Sequence, residues 1–489
     1  MADLVFVQPK TGLDIKGVTT VMPLGALHTV SLVDKEYEVK LIDQRMNDDW
    51  KKDLIQEIKK KPVCICLSVM TGAQIQYGLE LTQLIMDTDK DIPIIWGGVH
   101  ASLLPTQTLK HPLVNLVVIG EGETSLLELV NAFKEGKDIS TIKGIGFKKD
   151  GKITVTQPRP FENLNALPDA AYHLVNVEDY IIQQYDSPRM LSFLTGRGCP
   201  YRCSYCYNLK FNDRQWRPID AQNLVNRLKK LMKYHPDTVE FVDDLFFVSK
   251  KRAEDVCKLI LEEGIKVKLV ANCRIDYIAK HDMEFLKLIK SAGFHELYIG
   301  LESGSKRTLE NIKKDSTLEQ VDIANKKLKE VGIKPIYSFM GGFPGETSED
   351  IKQTIDLMVK LNKENPDASL TSIKIFTPFP GTPLFDVCKQ NGFKVPETLE
   401  GWAKFDYTTA IYQWGTKKDM ALLKKLAFMT FFLDQKTIMK QLGKGKPVLK
   451  FFMKIYAKVV KARCEHNFYS FTPEIRVMEF AKNRINSLF

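Results

Sequence analysis

The chain has 489 residues, 44% of them apolar and 27% charged, which is enough to bury large cores in two or three domains and argues against disorder. Nine cysteines are too few and too unevenly spaced for a secreted disulfide framework, and three of them fall within positions 199–206, so reduced thiols and metal binding in a cytoplasm are expected. The net charge of +10 arises in residues 417–463, where twelve Lys and one Arg meet only Asp419 and Asp434; with no nucleic-acid-binding module there, a solvated helical face or an anionic membrane surface fits better than nucleic acid.

The start, MADLVFVQPK, lacks a basic segment followed by a long apolar run, and no apolar stretch approaches the roughly 20 residues of a spanning helix. A cytoplasmic protein is expected, with peripheral contact to the inner face of a membrane through the basic tail. Residues 1–140 alternate short β-branched runs, LVFVQP (4–9), YEVKLID (37–43), VCICLSV (63–69), IPIIWGG (92–98) and LVVIG (116–120), with helical patterns. That alternation predicts a Rossmann-like parallel sheet with ligands beyond the carboxyl ends of its strands. Cys64 and Cys66 sit in an apolar strand and read as buried small hydrophobes.

Residues 141–188, with a hairpin expected at IGFKKDGKITV and Pro158, Pro160 and Pro168 breaking longer elements, read as a linker. Residues 189–390 repeat strand and helix six times, with strands at 192–196, 238–244, 268–273, 296–302, 336–342 and 372–378, which predicts a partial (β/α)6 TIM-like barrel. Residues 391–489 read as a helical, basic C-terminal domain. In its segment 449–462, Phe452, Tyr456 and Val459 fall on one side and Lys450, Lys454, Lys458 and Lys461 largely on another.

The segment TGRGCPYRCSYCYN directly after the first barrel strand sets Cys199, Cys203 and Cys206 at spacings that wrap three thiolates around one Fe–S cubane. Three ligands leave one iron open for substrate. A zinc knuckle would need a fourth ligand from distant Cys257, Cys273, Cys388 or Cys464. The run CPYRCSYC resembles the cluster motif of the radical S-adenosylmethionine (SAM) superfamily, in which the methionyl amine and carboxylate of SAM chelate the open iron of a 4Fe–4S cluster.

That resemblance implies further cofactor contacts. Tyr205 lies among the cysteines; FVDDLF places Asp243 and Asp244 near the methionine moiety; Arg274 of NCR suits its carboxylate; and Glu302 of GLES suits the ribose. Gly342, Gly345 and Glu346 of GGFPGET, with TPFPGTPLF (377–385), match turns whose backbones approach the adenine. The family's G-G-E at the second strand is D-D here, which leaves the partner of the amino group open. Taken one at a time, the acidic residues also read as helix caps or surface ion pairs.

In the first domain the turn after the first strand, QPKTGLD, has too few glycines for a dinucleotide fingerprint. Ser68, Val69 and Met70, then Thr71, followed by Gly97–Gly98, resemble the S-x-L and G-G elements of cobalamin-binding domains, where small residues line the slot for the nucleotide tail. Gly120 and Glu121 of GEGE resemble the corresponding loop of cobalamin-dependent members of the radical family. The D-x-H-x-x-G motif that carries the lower axial histidine is missing, and His28 and His100 read as packed or capping residues. A degenerate sheet without its cofactor is the competing reading.

The resemblance, which spans roughly residues 1–385, implies an enzyme that makes a 5′-deoxyadenosyl radical and methylates an unactivated carbon with methylcobalamin. The tail suggests an apolar or lipid-like small-molecule substrate, and the cluster requires a reductant such as flavodoxin or ferredoxin. Radical ring formation or oxidative carbon–carbon coupling is the enzymatic alternative. A non-catalytic cofactor-binding or sensor protein is the alternative of another class.

Overall fold

The computed structural model describes residues 2–184, 187–405, 414, 416–434, 447–466 and 468–469. Its first sheet contains five parallel strands, β1 (Leu4–Gln8), β2 (Val39–Asp43), β3 (Cys64–Ser68), β4 (Ile94–Gly97) and β5 (Leu116–Val118), in the order β2-β1-β3-β4-β5. Alternate side chains enter two cores: Leu4, Phe6, Cys64 and Cys66 one, Val5, Val7, Ile65 and Leu67 the other. A strand buried on both faces must be apolar along its length, which is why these strands stand out in the sequence. The strand order reverses between β1 and β3, and this opens a crevice at their carboxyl ends.

The hairpin expected in the linker forms, but as part of this sheet: β6 (Ile145–Lys149) pairs antiparallel with β5, and β7 (Lys152–Val155) with β6. The linker proper begins after it.

The second sheet opens with β8 (Ile182–Gln184), antiparallel to β9 (Ser187–Phe193). A short ladder, β10 (Gly196–Arg197) with β11 (Arg217–Pro218), flanks the cysteine loop. Then come β12 (Thr238–Phe241), β13 (Lys268–Cys273), β14 (Phe294–Glu302), β15 (Lys334–Gly341) and β16 (Ser369–Ile375). From β9 to β16 the six parallel strands are neighbours in chain order, giving the expected partial barrel. Six of the helices between them start on side-chain caps, at Asp220, Ser249, Asp282, Ser305, Thr317 and Thr347, with full capping boxes at the last two.

The open edge at β16 is covered by helix Lys417–Thr430 and the residues after it, where Thr430 Oγ1 accepts from Ile373 N at 3.0 Å and Asp434 Oδ2 from Leu370 N at 3.2 Å. These two side chains satisfy backbone donors that a further strand would have met.

The segment after the barrel returns to the first domain. Trp402, fully buried, donates from Nε1 to Gln107 Oε1 at 2.8 Å, and Gln107 Nε2 donates to Pro396 O at 2.8 Å. One apolar core therefore runs from Ile75 and Trp96 through Phe376 and Phe385 to Trp402 and Phe405, fixing the sheet over the barrel mouth.

Helix Pro447–Glu465 buries Tyr456, Ala457, Val460 and Cys464. Val459 does not share the side of Tyr456 as the sequence pattern suggested. It is exposed with Ile455, beside exposed Lys454 and Lys458, because the buried stripe runs through Tyr456, Ala457, Val460 and Cys464 and position 459 falls beyond its edge. The side chains of Lys450 and Phe452, and residues 435–446 of the basic tail, lie outside the described residues. Among the described residues no helix is long and apolar enough to cross a membrane.

Candidate functional site

Strands β9 to β16 all point their carboxyl ends toward the first sheet, and the cysteine loop leaves β9 there. The loop is pinned at several points. Asp244 accepts from Gly198 N at 2.8 Å, Asn208 Nδ2 at 2.8 Å and Tyr207 OH at 3.0 Å, so one carboxylate clamps both flanks of the cysteine triplet. Ser204 N donates to Ile312 O at 2.9 Å, and Leu384 N donates to Ser204 O at 3.1 Å. Gly198 adopts φ +81°, and a Cβ there would stand 2.0 Å from Gln215 O. No bulkier residue fits.

Cys199, Cys203 and Cys206 are half-buried on this loop, while the other six cysteines are buried elsewhere. Burial pushes the Cys206 thiol up to about 12, with Cys203 and Cys199 adding to the shift, so the sulfurs feel one another. Soft thiolates sharing one loop are the donor set an Fe–S cluster relieves of that repulsion. Among the described residues no group of three His, Cys, Asp or Glu already stands at metal-binding spacing, so the fit rests on donor type and the shared loop.

The neighbouring polar residues differ from the sequence expectation. Asp243 accepts from Thr195 N at 2.6 Å and Thr195 Oγ1 at 2.5 Å, and burial pushes its carboxyl up to about 6 against those bonds and Arg252. Arg274, expected at the methionine carboxylate, lies against the cysteine loop: Nε donates to Asp276 at 2.8 Å, Nη2 to Lys314 O at 2.5 Å, Nη1 to Cys203 Sγ at 3.8 Å, and the guanidinium stacks on Tyr201. A buried charge is stable only when paired, and each of these found its partner inside the protein.

Glu302 and Tyr205, on different motifs, come together. Glu302, at φ +67°, accepts from Tyr205 OH at 2.9 Å and from Lys314 Nζ at 2.8 Å. Lys314 is buried and carries no motif, so sequence reasoning missed it. Gly342 and Gly345 hold positive φ in the turn after β15, and Glu346 Oε2 closes that turn by accepting from Gly342 N at 2.5 Å and Phe343 N at 3.3 Å. Glu346 Oε1 is buried with no hydrogen-bond partner, and burial pushes the carboxyl up to about 7.

In the first domain Ser68 and Gly97 are register partners across β3 and β4. Gly98 adopts φ +90°, and a Cβ there would lie 2.6 Å from Ser68 Oγ and 2.6 Å from Val69 O. The serine and paired glycines are thus one contact, which opens beside a cavity of about 390 Å³ that also reaches Gly120, His28 and Met70. Thr71 Oγ1 bonds His100 Nδ1 at 3.0 Å, and Gln74 Oε1 accepts from Met70 N at 2.8 Å, which fixes the loop after β3. His28 and His100 are buried, and that burial pulls them down to about 3 and about 4, so both are neutral packed residues. A slot floored by glycines at the carboxyl ends of β3 and β4 fits a nucleotide tail.

Glu121, which also lines that cavity, pairs with Arg197 at 2.9 Å and with Arg217 at 2.7 Å; Glu123 joins through Arg197 at 2.5 Å. The loop after β5 is thereby bolted to the start of the cysteine loop. Between the two domains lies a larger chamber of about 990 Å³, lined by Thr71 and Met70 from the first sheet, Tyr205 from the cysteine loop and Met340 and Phe376 from the barrel.

A glycine-floored slot on a Rossmann-like sheet, facing a three-cysteine loop across one chamber, defines a protein that brings a cobalamin-type cofactor to an Fe–S cluster. Residues 193–358 match the Radical SAM superfamily model and residues 15–130 the B12 binding domain. A relative from Pyrococcus horikoshii, described as an uncharacterized methyltransferase, is 30% identical over 445 residues, covering 90% of this chain and 94% of that protein. The anaerobic magnesium-protoporphyrin IX monomethyl ester cyclase of Rubrivivax gelatinosus is 28% identical over 439 residues, covering 87% of this chain and 76% of that protein. The solved structure of the cobalamin-dependent S-adenosylmethionine radical enzyme OxsB with aqua-cobalamin bound has a TM-score of 0.76 at 18% identity, over 100% of this chain and 76% of that one. TsrM from Kitasatospora setae, a radical S-adenosylmethionine methyltransferase, has a TM-score of 0.66 at 21% identity, over 79% of this chain and 76% of that one. The last two likenesses are of fold.

The chain belongs to the radical SAM superfamily, among the members that carry a B12-binding domain. It is a radical SAM enzyme whose cofactors are a 4Fe–4S cluster, SAM and cobalamin.

Proposed function

We propose that the enzyme methylates an unactivated carbon of an apolar or lipid-like small molecule. The observation that carries this reading is the chamber, which the loop after β3, the cysteine loop and the barrel strand ends all reach, so a substrate there meets both cofactor sites. When bound, the cofactors supply a 5′-deoxyadenosyl radical for hydrogen abstraction and a methyl group for transfer, with electrons from a donor such as flavodoxin or ferredoxin.

Cys199, Cys203 and Cys206 hold the cluster in this reading. Asp244 and Arg274 set the loop that carries them, and Tyr205 with Glu302 and Lys314 forms the polar wall beside it. The turn at Gly342 and Gly345 offers backbone to the adenine, and Ser68, Gly97, Gly98 and Gly120 take the cobalamin tail. Leu13, Met70, Met340, Ile373, Phe376 and Phe379 line the chamber with apolar surface, which supports an apolar substrate and keeps water from a radical. The relative described as a methyltransferase also supports methyl transfer.

A second reading, oxidative ring formation, is favoured by the similarity to the magnesium-protoporphyrin cyclase. Anaerobic turnover with methyl-labelled SAM separates the two: label in the substrate-derived product supports methylation, and deoxyadenosine release with an unlabelled product overturns it. Alanine at any of the three cysteines is expected to abolish both iron loading and deoxyadenosine release.

A further inference from the structure

Strand β16 forms one wall of the chamber, which Ser372, Ile373, Lys374 and Ile375 all line. Along β15, Tyr337 and Phe339 are buried toward the helices while Ser338 and Met340 are less covered, and Met340 lines the chamber. Met340 pairs with Lys374 on β16. Side chains of register partners share a face, so Lys374 projects from the same inner face as Met340. It too lines the chamber and is exposed there.

Among the described residues that line this chamber, Lys374 carries the only charge. No carboxylate among the described residues pairs with it. Four cations near the cysteine loop are engaged: Lys314 with Glu302, Arg274 with Asp276, and Arg197 and Arg217 with Glu121. An ammonium group kept on an apolar wall, with its own protein supplying no counter-charge, is poised to take an anion from a ligand.

We infer that Lys374 anchors the substrate through an anionic group, a carboxylate or a phosphate carried on an otherwise apolar body. This rests on the apolar-substrate reading above and narrows it: wholly neutral hydrocarbons leave the ammonium without a partner, and polyanions find no second cation among the described residues of the wall. Held by its head at β16, such a molecule lays its apolar part against Phe376 and Met340.

The test is anaerobic calorimetry on enzyme loaded with cluster and cobalamin and saturated with S-adenosylhomocysteine, titrated with decanoate, decyl phosphate and decan-1-ol. At least one anion should bind about fivefold tighter than the alcohol, the gain expected of one partly solvated ion pair. Lys374→Met should bring that anion to the level of the alcohol without weakening the alcohol, and Lys374→Arg should restore the preference. The anion that gains more identifies carboxylate or phosphate. Equal binding of all three probes, or a preference that survives Lys374→Met, overturns the inference alone. So does a Lys374→Met variant that loses affinity for S-adenosylhomocysteine with the probe ratio unchanged, since the lysine would then serve the methionine carboxylate. Failure of every probe, the alcohol included, overturns the apolar-substrate reading beneath it.

Discussion

Arg197 Nη1 donates to Glu121 Oε1 at 2.9 Å, tying the residue two before the first cluster cysteine to the loop after the fifth strand of the first sheet. Their side chains are 16% and 6% exposed, so the pair is buried and its partners cannot be replaced by water. Burial alone would pull the Arg197 guanidinium down, yet Glu123 and Glu121 hold it above its ordinary range.

Removing one partner leaves buried charge uncompensated. Arg197→Met is expected to destabilise the enzyme by about 3 kcal/mol in urea unfolding. Glu121→Gln and Arg197→Met combined should cost less than the sum of the two, with a coupling of about 1–3 kcal/mol. Additive losses would mean that the pair does not join the domains energetically.

Gly98 provides a sharper test of the cobalamin slot. Alanine there meets Ser68 Oγ and Val69 O at 2.6 Å and must hold φ +90°, so Gly98→Ala is expected to cost about 1–3 kcal/mol of local strain. Cobalamin retained per protein, read from its visible absorbance, should fall while iron content stays at the wild-type level. Loss of both together would mean general unfolding instead.

Trp402 joins the C-terminal segment to the first domain through Gln107 and lies against His100 and Phe385. Trp402→Ala is expected to cost about 3–5 kcal/mol, the range for emptying a large aromatic site in a core. Limited proteolysis should then release the first domain faster than in the wild type. Unchanged cleavage would mean that the shared core does not hold the sheet in place.

These sites differ in how far the sequence announced them. The strands were legible because burial on both faces leaves near-continuous apolar runs, and the cysteine triplet because its three thiols lie on one short loop. Ser68 and Gly98 could be paired only through a family pattern, although their contact is a plain steric fact. Arg197 with Glu121, Lys314 with Glu302 and Trp402 with Gln107 are contacts between segments that carry no shared local pattern, and only the fold brings them together. The partners of Asp243, Asp244 and Arg274 within the protein were hidden for a related reason. A charge at a strand end looks ligand-facing in sequence, but a partly buried charge first finds a partner within the protein.

Glu346 sets a pH dependence with a definite sign. Burial raises its folded carboxyl from the ordinary 4.5 to about 7, so the folded state holds that proton more tightly than the unfolded chain does. Its contribution to stability is complete below the unfolded value and is lost as pH rises through the folded one, a change of about 3 kcal/mol at most. Glu346→Gln keeps an acceptor for Gly342 N and Phe343 N without the titration. The stability of the variant relative to wild type, from urea midpoints, should therefore rise with pH across that window. A difference that stays constant with pH would mean that burial does not raise the Glu346 carboxyl and that it is charged at neutrality in the folded state as in the unfolded one.

The exposed face of helix Pro447–Glu465 decides whether the basic tail meets a membrane. Ile455 and Val459, 45% and 38% exposed, lie one turn apart beside exposed Lys454 and Lys458, the pairing of apolar and cationic side chains that an anionic bilayer surface accepts. The wild-type enzyme should float with anionic vesicles, less at high salt because the lysine contribution is screened. Replacing Ile455 and Val459 together by serine removes about 2 kcal/mol of apolar insertion and should weaken vesicle binding about thirtyfold, without loss of stability because neither side chain is buried. Flotation that survives the double substitution, or that is equal with neutral vesicles, would sink the membrane reading and leave the lysines as a solvated face.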